Sequence, residues 1–144
     1  MSSQLLVHFD LKLPLLLACN VSAYGIGAVL AHRMPDGLEK PIGYASRTLN
    51  SAERNYSQFE KEGLSLVFGI KQFLSYLFGH SFTLITDHKP LLGLLDSQKP
   101  TSPQASVRIQ CWSLYLLMFE YKLRFRSTTA HANADALSRL PLIC

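Results

Sequence analysis

The sequence predicts a single α/β domain with a five-stranded mixed sheet, in which three antiparallel strands are followed by parallel strands, flanked by helices. The first third of the chain carries three strand-like runs joined by tight turns, which is typical of an antiparallel meander. A long segment follows in which the apolar residues recur at helical spacing. The next strand comes directly after it and is therefore expected to lie parallel to a strand of the meander. With 144 residues, 48% of them hydrophobic, the chain is large enough for one buried core.

The three strands of the meander are predicted from composition and turn chemistry. Residues 15–19 are a continuous apolar run, as expected for a central strand covered on both faces. Residues 25–33 begin among closely spaced glycines and end at Met34-Pro35-Asp36-Gly37, a strong turn signal. Residues 40–46 follow as the third strand, with larger side chains alternating against smaller ones.

The period then changes to that of a helix. Ser57-Gln58-Phe59-Glu60 has the spacing of a capping box and opens a helix predicted to end at about residue 78, with Gly79 as its C-terminal cap. Residues 82–86 form the fourth strand, and parallel pairing with the central strand would bring Asn20 and Asp87 to one edge of the sheet. The remaining predictions are a short helix at 88–95, a loop at 96–105, a long helix at 107–119, a strand at 121–126 and a short helix at 132–140.

Composition narrows the classes of function. A net charge of +4 fits ordinary solubility and an anionic partner equally well. Cys19, Cys111 and Cys144 have no ligand-like spacing, which argues against a disulfide framework or a zinc site and fits a reducing compartment. The apolar run before Cys19 is too short for a membrane span and lacks the flanks of a signal peptide. We therefore expect an intracellular protein, cytoplasmic or nuclear, that is not secreted and has no membrane partner.

Three carboxylates fall where the predicted elements converge. Asp87 ends the fourth strand, Glu62 lies in the first turns of the long helix, and Asp135 lies in the first turn of the last helix. Each one alone is explained by helix capping or by the helix dipole. As a cluster, carboxylates without basic partners repel and normally bind hard divalent cations. The cluster indicates a two-metal site for phosphoryl chemistry.

Five segments in series make the interpretation specific. In chain order they are LACNVSAYGIGAVL at 17–30, IGYASRTL at 42–49, NYSQFEKEGL at 55–64, FTLITDHKPL at 82–91 and NADALSR at 133–139. Together they resemble the ribonuclease H domain of gypsy-class LTR retrotransposons (metaviruses), which follows the reverse transcriptase in the polyprotein. The resemblance covers a core of about 14–140 within a single domain of 1–144.

The resemblance implies an RNase H-like fold and a hydrolase, an endonuclease that uses two Mg²⁺ ions to cut the RNA strand of RNA–DNA hybrids. It places the catalytic positions at Asn20, Glu62, Asp87 and Asp135, the last three as metal ligands. Glu60 is a rival for the second position. Because helix residues two apart point in different directions, only one of the two glutamates can face the metals. The family's pattern favours Glu62.

Other residues are candidates for weaker roles. His131 is a possible auxiliary proton shuttle near Asp135, but the resemblance favours the alternative that it occupies a family position that is often asparagine. Nucleic-acid contacts are expected from two glycines that let a strand approach the backbone and from three basic residues that reach phosphates. A bulge or a solvated surface explains each of these five equally well: Gly25, Gly27, Arg47, His88 and Lys89.

Asn20 departs from the family, which has at this position an aspartate that touches both metals. An amide has nearly the same shape but one less negative charge and a poorer metal-binding oxygen. Two unit charges 4 Å apart interact by about 4 kcal/mol at an effective dielectric of 20, and each ~1.4 kcal/mol changes a rate tenfold. We therefore expect hydrolysis to be slowed on the order of a thousandfold or lost, with Mg²⁺ occupancy in doubt.

Two alternatives to an impaired nuclease stay open at this point. One is a pseudoenzyme that still binds an RNA–DNA hybrid, and the other is a structural scaffold beside the reverse transcriptase polymerase domain of a polyprotein. Asn20 fits either an engineered change or the natural decay of a retroelement, including a domesticated copy.

Overall fold

The computed structural model describes residues 9–87 and 103–126. Its five strands form one mixed sheet, and the predicted fold class is confirmed. The three strands of the meander are antiparallel, the fourth is parallel to the first, and the fifth is parallel to the fourth. The strands are β1 (Leu15–Val21), β2 (Gly25–Arg33), β3 (Glu39–Thr48), β4 (Ser81–Thr86) and β5 (Glu120–Phe125), in the spatial order β3-β2-β1-β4-β5.

Helices cover the sheet in the described part of the chain. The longest packs on β1 and β2 and against the last described helix. None of the helices within residues 9–87 and 103–126 is long and apolar enough to cross a membrane. They are α1 (Ser51–Arg54), α2 (Gln58–Gln72), α3 (Leu74–Leu77) and α4 (Pro103–Leu116).

The central strand β1 is buried, as its unbroken apolar sequence predicts, and Leu17 and Cys19 are inaccessible to solvent. It is longer than the predicted 15–19, because Asn20 and Val21 continue the antiparallel ladder opposite Gly27 and Ile26. Strand β2 has its predicted limits, and β3, β4 and β5 differ from theirs by one or two residues. Asn20 therefore lies within β1, although the predicted strand stops one residue before it.

The prediction of one helix over 57–78 is wrong. Helix α2 ends at Gln72, and α3 begins at Leu74. Phe73 between them has φ −113° and ψ 29°, outside helical geometry. Its ring packs against Gly43 of β3, where a Cβ atom would come within 3.1 Å of the ring. The predicted cap is confirmed, since Gly79 follows α3 with φ +82°, a left-handed conformation that suits glycine.

Two further predictions need correction. The loop predicted at 96–105 is wrong from Pro103 onward, because α4 begins there and ends at Leu116 instead of spanning 107–119. Proline suits the first turn of a helix, where its missing N–H has no intrahelical partner. Helix α1 was not predicted, although Asn50 and Glu53 form a capping box that begins it. The helices predicted at 88–95 and 132–140 lie outside the described residues.

Helix α2 lies unusually close to the sheet at Gly69. A Cβ atom at this position would be 2.8 Å from Cys19 Sγ, 3.2 Å from Ala28 Cβ and 3.3 Å from Leu17 Cδ2. The absent side chain therefore lets the helix backbone rest on β1 and β2. This close packing positions the first turns of α2, which carry Glu62, over the end of β1.

Candidate active site

Asn20 and Asp87 meet where β1 and β4 end side by side. The parallel register pairs Leu17 with Leu84 and Ala18 with Ile85, which leads both strands to the same edge. Asn20 Nδ2 donates a hydrogen bond to Asp87 Oδ2 at 3.3 Å, and Asn20 is 3% exposed. The predicted meeting of these two side chains is confirmed. The amide supplies a donor to the carboxylate, which a second carboxylate would instead repel.

Glu62 lies beside this pair with its charge poorly compensated. It is 4% exposed, and Gln58 Nε2 donates to its Oε2 at 2.8 Å. Its other oxygen, Oε1, is buried and has no hydrogen-bond partner. Burial, followed by the negative charge of Asp87, raises the pKa of Glu62 to about 7, and the hydrogen bond from Gln58 offsets only part of this. Glu62 therefore changes its charge near neutral pH.

Glu60 has a different environment, although it lies only two residues away. Its Oε1 accepts the Ser57 N–H at 3.0 Å, and its own N–H donates to Ser57 Oγ, completing the predicted capping box. Its Oε2 accepts a hydrogen bond from Arg108 Nε at 2.8 Å. Burial acts to raise the pKa of Glu60, but the hydrogen bonds from Ser57 and Arg108 outweigh it and hold the pKa below its ordinary value. Glu60 is tied to the helix start and to α4.

Comparison with protein families assigns the chain to a known group. A family described as an RNase H-like domain found in reverse transcriptase matches residues 10–119. The chain belongs to this family. Its curated relatives include the transposon Tf2-3 and Tf2-4 polyproteins of Schizosaccharomyces pombe (strain 972 / ATCC 24843), each 33% identical over 141 residues. That match covers 96% of this RNase H-like domain but only 10% of each polyprotein.

Solved structures show the same fold at lower identity. The foamy viral protease-reverse transcriptase in complex with dsDNA has a TM-score of 0.71 and 20% identity, covering 85% of this chain and 25% of that one. The complex of that protein with an RNA/DNA hybrid has a TM-score of 0.68 and 20% identity, over 85% and 16%. RNase H1 from Halobacterium salinarum NRC-1 has a TM-score of 0.64 and 13% identity, over 90% and 97%.

Two carboxylates of this RNase H-like domain have the chemistry of ligands to a divalent cation. Glu62 presents a buried, unpartnered oxygen, and its pKa is raised first by burial and then by the neighbouring charge of Asp87, as expected for an acid that a cation would neutralise. These two residues therefore fit a hard cation. Within residues 9–87 and 103–126 no group of three or more His, Cys, Asp and Glu side chains forms a metal-binding cluster. Asp135, the predicted third acid, lies outside the described residues.

The weaker predicted contacts have mixed placements. Gly25 and Gly27 begin β2 beside the site, and Gly27 pairs with Asn20. Arg47 forms a bidentate ion pair with Glu53, in which Nη1 donates to Oε1 at 2.8 Å and Nη2 donates to Oε2 at 2.9 Å. Its guanidinium is therefore already bound by a carboxylate. The other predicted candidates, His88, Lys89 and His131, lie outside the described residues.

Sequence reasoning missed two residues that shape the site. Gln58 orients Glu62, and its signal was the spacing of four residues that places both on one helix face. Arg108 binds Glu60 from 48 residues away, a pairing for which the sequence holds no signal.

Proposed function

We propose that this chain is the RNase H domain of a gypsy-class LTR retrotransposon polyprotein, or a domesticated copy of one, with its nuclease impaired by Asn20. The substrate would be the RNA strand of an RNA–DNA hybrid. The observation that carries the proposal is the contact of Asn20 with Asp87 beside the buried, unpartnered Glu62 oxygen. Similarity to the Tf2 polyproteins supports the retrotransposon origin. The solved foamy viral complex with an RNA/DNA hybrid supports the substrate class.

In this proposal Glu62 and Asp87, together with Asp135, would hold Mg²⁺. When bound, two such ions would supply an activated water and charge stabilisation for the oxygens of the displacement. Gln58 keeps one Glu62 oxygen oriented and leaves the other available, because it donates to Oε2 alone. Glu60 has no catalytic part, since Ser57 and Arg108 bind both of its oxygens.

Asn20 weakens the site by removing one negative charge from it. Its amide also ties up one Asp87 oxygen through the 3.3 Å hydrogen bond. Losing most of an interaction of about 4 kcal/mol from the transition state lowers the rate on the order of a thousandfold. The fold tolerates the change, because the amide replaces a repulsion with a hydrogen bond.

The test is cleavage of an RNA–DNA hybrid labelled on its RNA strand, in Mg²⁺, by the present chain and by Asn20→Asp. We expect Asn20→Asp to cleave on the order of a thousandfold faster. Adding Glu62→Gln to Asn20→Asp should abolish the gain, whereas adding Glu60→Gln should preserve it in protein that is still folded. A folded Asn20→Asp protein that leaves the hybrid intact would show that Asn20 is not what limits the site.

Hybrid binding without cleavage is the second candidate function. It is favoured by the neutral amide of Asn20 beside Asp87, because this edge then carries one negative charge fewer than with aspartate and repels an approaching phosphate backbone less. The net charge of +4 acts in the same direction. A salt-dependent affinity for the hybrid over duplex DNA, without cleavage, would identify this function. A folded domain with neither activity would instead be a scaffold.

A further inference from the structure

The turn between β1 and β2 presents an exposed aromatic side chain from a hydrogen-bonded backbone. Tyr24 is 70% exposed, yet its carbonyl accepts the Leu49 N–H at 2.7 Å. Ser22 Oγ accepts the N–H groups of Tyr24 at 3.4 Å and Gly25 at 3.1 Å, which closes the turn. Tyrosine rings on a rigid backbone suit binding surfaces, because they offer a large contact area at little conformational cost.

Arg54, the last residue of α1, lies next to this ring. Its guanidinium carbon is 6.0 Å from the Tyr24 ring centroid, at the outer limit of a cation–π contact. Among the described residues, Arg33, Arg47, Arg108 and Arg126 form ion pairs with glutamates, and Arg54 does not. Its side chain is exposed, so its charge is available to an anion from solution.

The pair lies at the same end of the sheet as the acidic site. Tyr24 follows Asn20 by four residues, so their Cα atoms are at most about 14 Å apart. Arg54 precedes Gln58, which contacts Glu62, by the same number of residues. One strand of a duplex carries a phosphate about every 3.4 Å of helix axis. Tyr24 and Arg54 therefore reach a bound backbone within about four nucleotides of the site.

We propose that Tyr24 and Arg54 bind the sugar–phosphate backbone of the RNA–DNA hybrid and position it over the carboxylate edge. Arg54 pairs with a phosphate, and the Tyr24 ring packs on an adjoining sugar. This contact rests on the proposed function, but it requires only that the hybrid binds, whether or not Asn20 permits cleavage. Arg47 cannot take the same part while Glu53 holds its guanidinium.

The experiment measures the affinity of the whole chain for a labelled RNA–DNA hybrid across a series of salt concentrations. Arg54→Ala should weaken binding several-fold and reduce the slope of log affinity against log salt by about 0.9, the loss of one phosphate contact. Tyr24→Ala should weaken binding with less change in slope, and Tyr24→Phe and Arg54→Lys should retain most of the affinity.

Lys40→Ala is the matched control. It removes one exposed positive charge at the opposite end of the sheet, where Lys40 pairs with His32. Binding by the parent chain with no change in Arg54→Ala and Tyr24→Ala would overturn the contact and leave the proposed function intact. An equal loss in Lys40→Ala would also overturn it, as a general effect of charge. If the parent chain does not bind and Asn20→Asp neither binds nor cleaves, both proposals fail.

Discussion

The acidic side chains in and near the candidate active site differ in how their negative charges are balanced. Asp87 receives a hydrogen bond from Asn20, and Glu60 receives hydrogen bonds from Ser57 and Arg108. One oxygen of Glu62 accepts a hydrogen bond from Gln58, and the other oxygen has no hydrogen-bond partner. Buried polar groups are normally satisfied, and an exception in a native structure calls for an explanation. The proposed cation site would explain the exception at Glu62.

The pKa of Glu62 predicts a dependence of stability on pH. Because this pKa is about 7 in the folded chain against 4.5 ordinarily, the folded state holds the proton more tightly than the unfolded state. The resulting stabilisation is complete below pH ~4.5 and is lost as pH rises through about 7. It amounts to about 3 kcal/mol at most. Glu62→Gln should remove it, so urea unfolding should show the variant gaining stability over the parent chain between pH 5 and pH 8.

Glu60→Gln gives the opposite expectation on the same helix. The pKa of Glu60 is lowered in the fold, so its contribution is present above its ordinary pKa and lost as pH falls. This variant should lose stability relative to the parent chain at pH 8. If both glutamine variants shifted in the same direction, the different environments of the two glutamates would be refuted.

Among the elements, α2 joins the site to the core. It begins with the Ser57 capping box, carries Glu62 in its second turn and contacts the sheet at Gly69. Gly63 allows a second close contact, with Trp112 of α4, whose ring carbon would lie 3.3 Å from an added Cβ. The depth at which Glu62 sits is therefore set by packing along the whole helix.

Gly69→Ala is expected to destabilise the fold. The added methyl group would lie 2.8 Å from Cys19 Sγ, and overpacking of this kind typically costs about 1–3 kcal/mol. The better helix propensity of alanine returns only about 1 kcal/mol. Urea unfolding should show a net loss of up to about 2 kcal/mol, and the loss should shrink in a Cys19→Ala background. An equal loss in both backgrounds would mean that the sulfur contact is not the cause.

At the scale of the whole molecule, folding alone brings the residues of the candidate active site together. Asn20 is on β1, Glu62 is on α2 and Asp87 follows β4, so repulsion among acids at these positions arises in the native state. Asn20→Asp should therefore lower the melting temperature in EDTA, and Mg²⁺ should restore it. A ligand at 100 times its Kd adds about 2.7 kcal/mol.

The parent chain should respond to Mg²⁺ less than Asn20→Asp in the same thermal melts. Asn20→Ala, which removes the amide without adding charge, separates loss of the hydrogen bond from gain of repulsion. A melting temperature of Asn20→Asp that does not depend on Mg²⁺ would contradict a cation site at this edge.

The sheet and the meeting of Asn20 with Asp87 could be predicted, because chain order, strand period and parallel crossover rules restrict the topology. The interruption between α2 and α3 at Phe73 could not be predicted, because the helical period of the apolar residues continues across it. Helix α1 carried a capping signal at Asn50, but four residues are too few to show a helical period. The Arg108–Glu60 pair depends on how α4 packs on α2, which local sequence does not encode.

The thiol of Cys19 lies sealed between β1 and Gly69 of α2, with no exposed surface. Its pKa is raised by burial and by the nearby Glu62, so few molecules carry the reactive thiolate. A thiol reagent reaches Cys19 only after the helix lifts from the sheet, whereas Cys111 on α4 is exposed from the start. The rate at which a thiol reagent modifies Cys19 therefore reports how often α2 separates locally from the sheet beside the candidate active site.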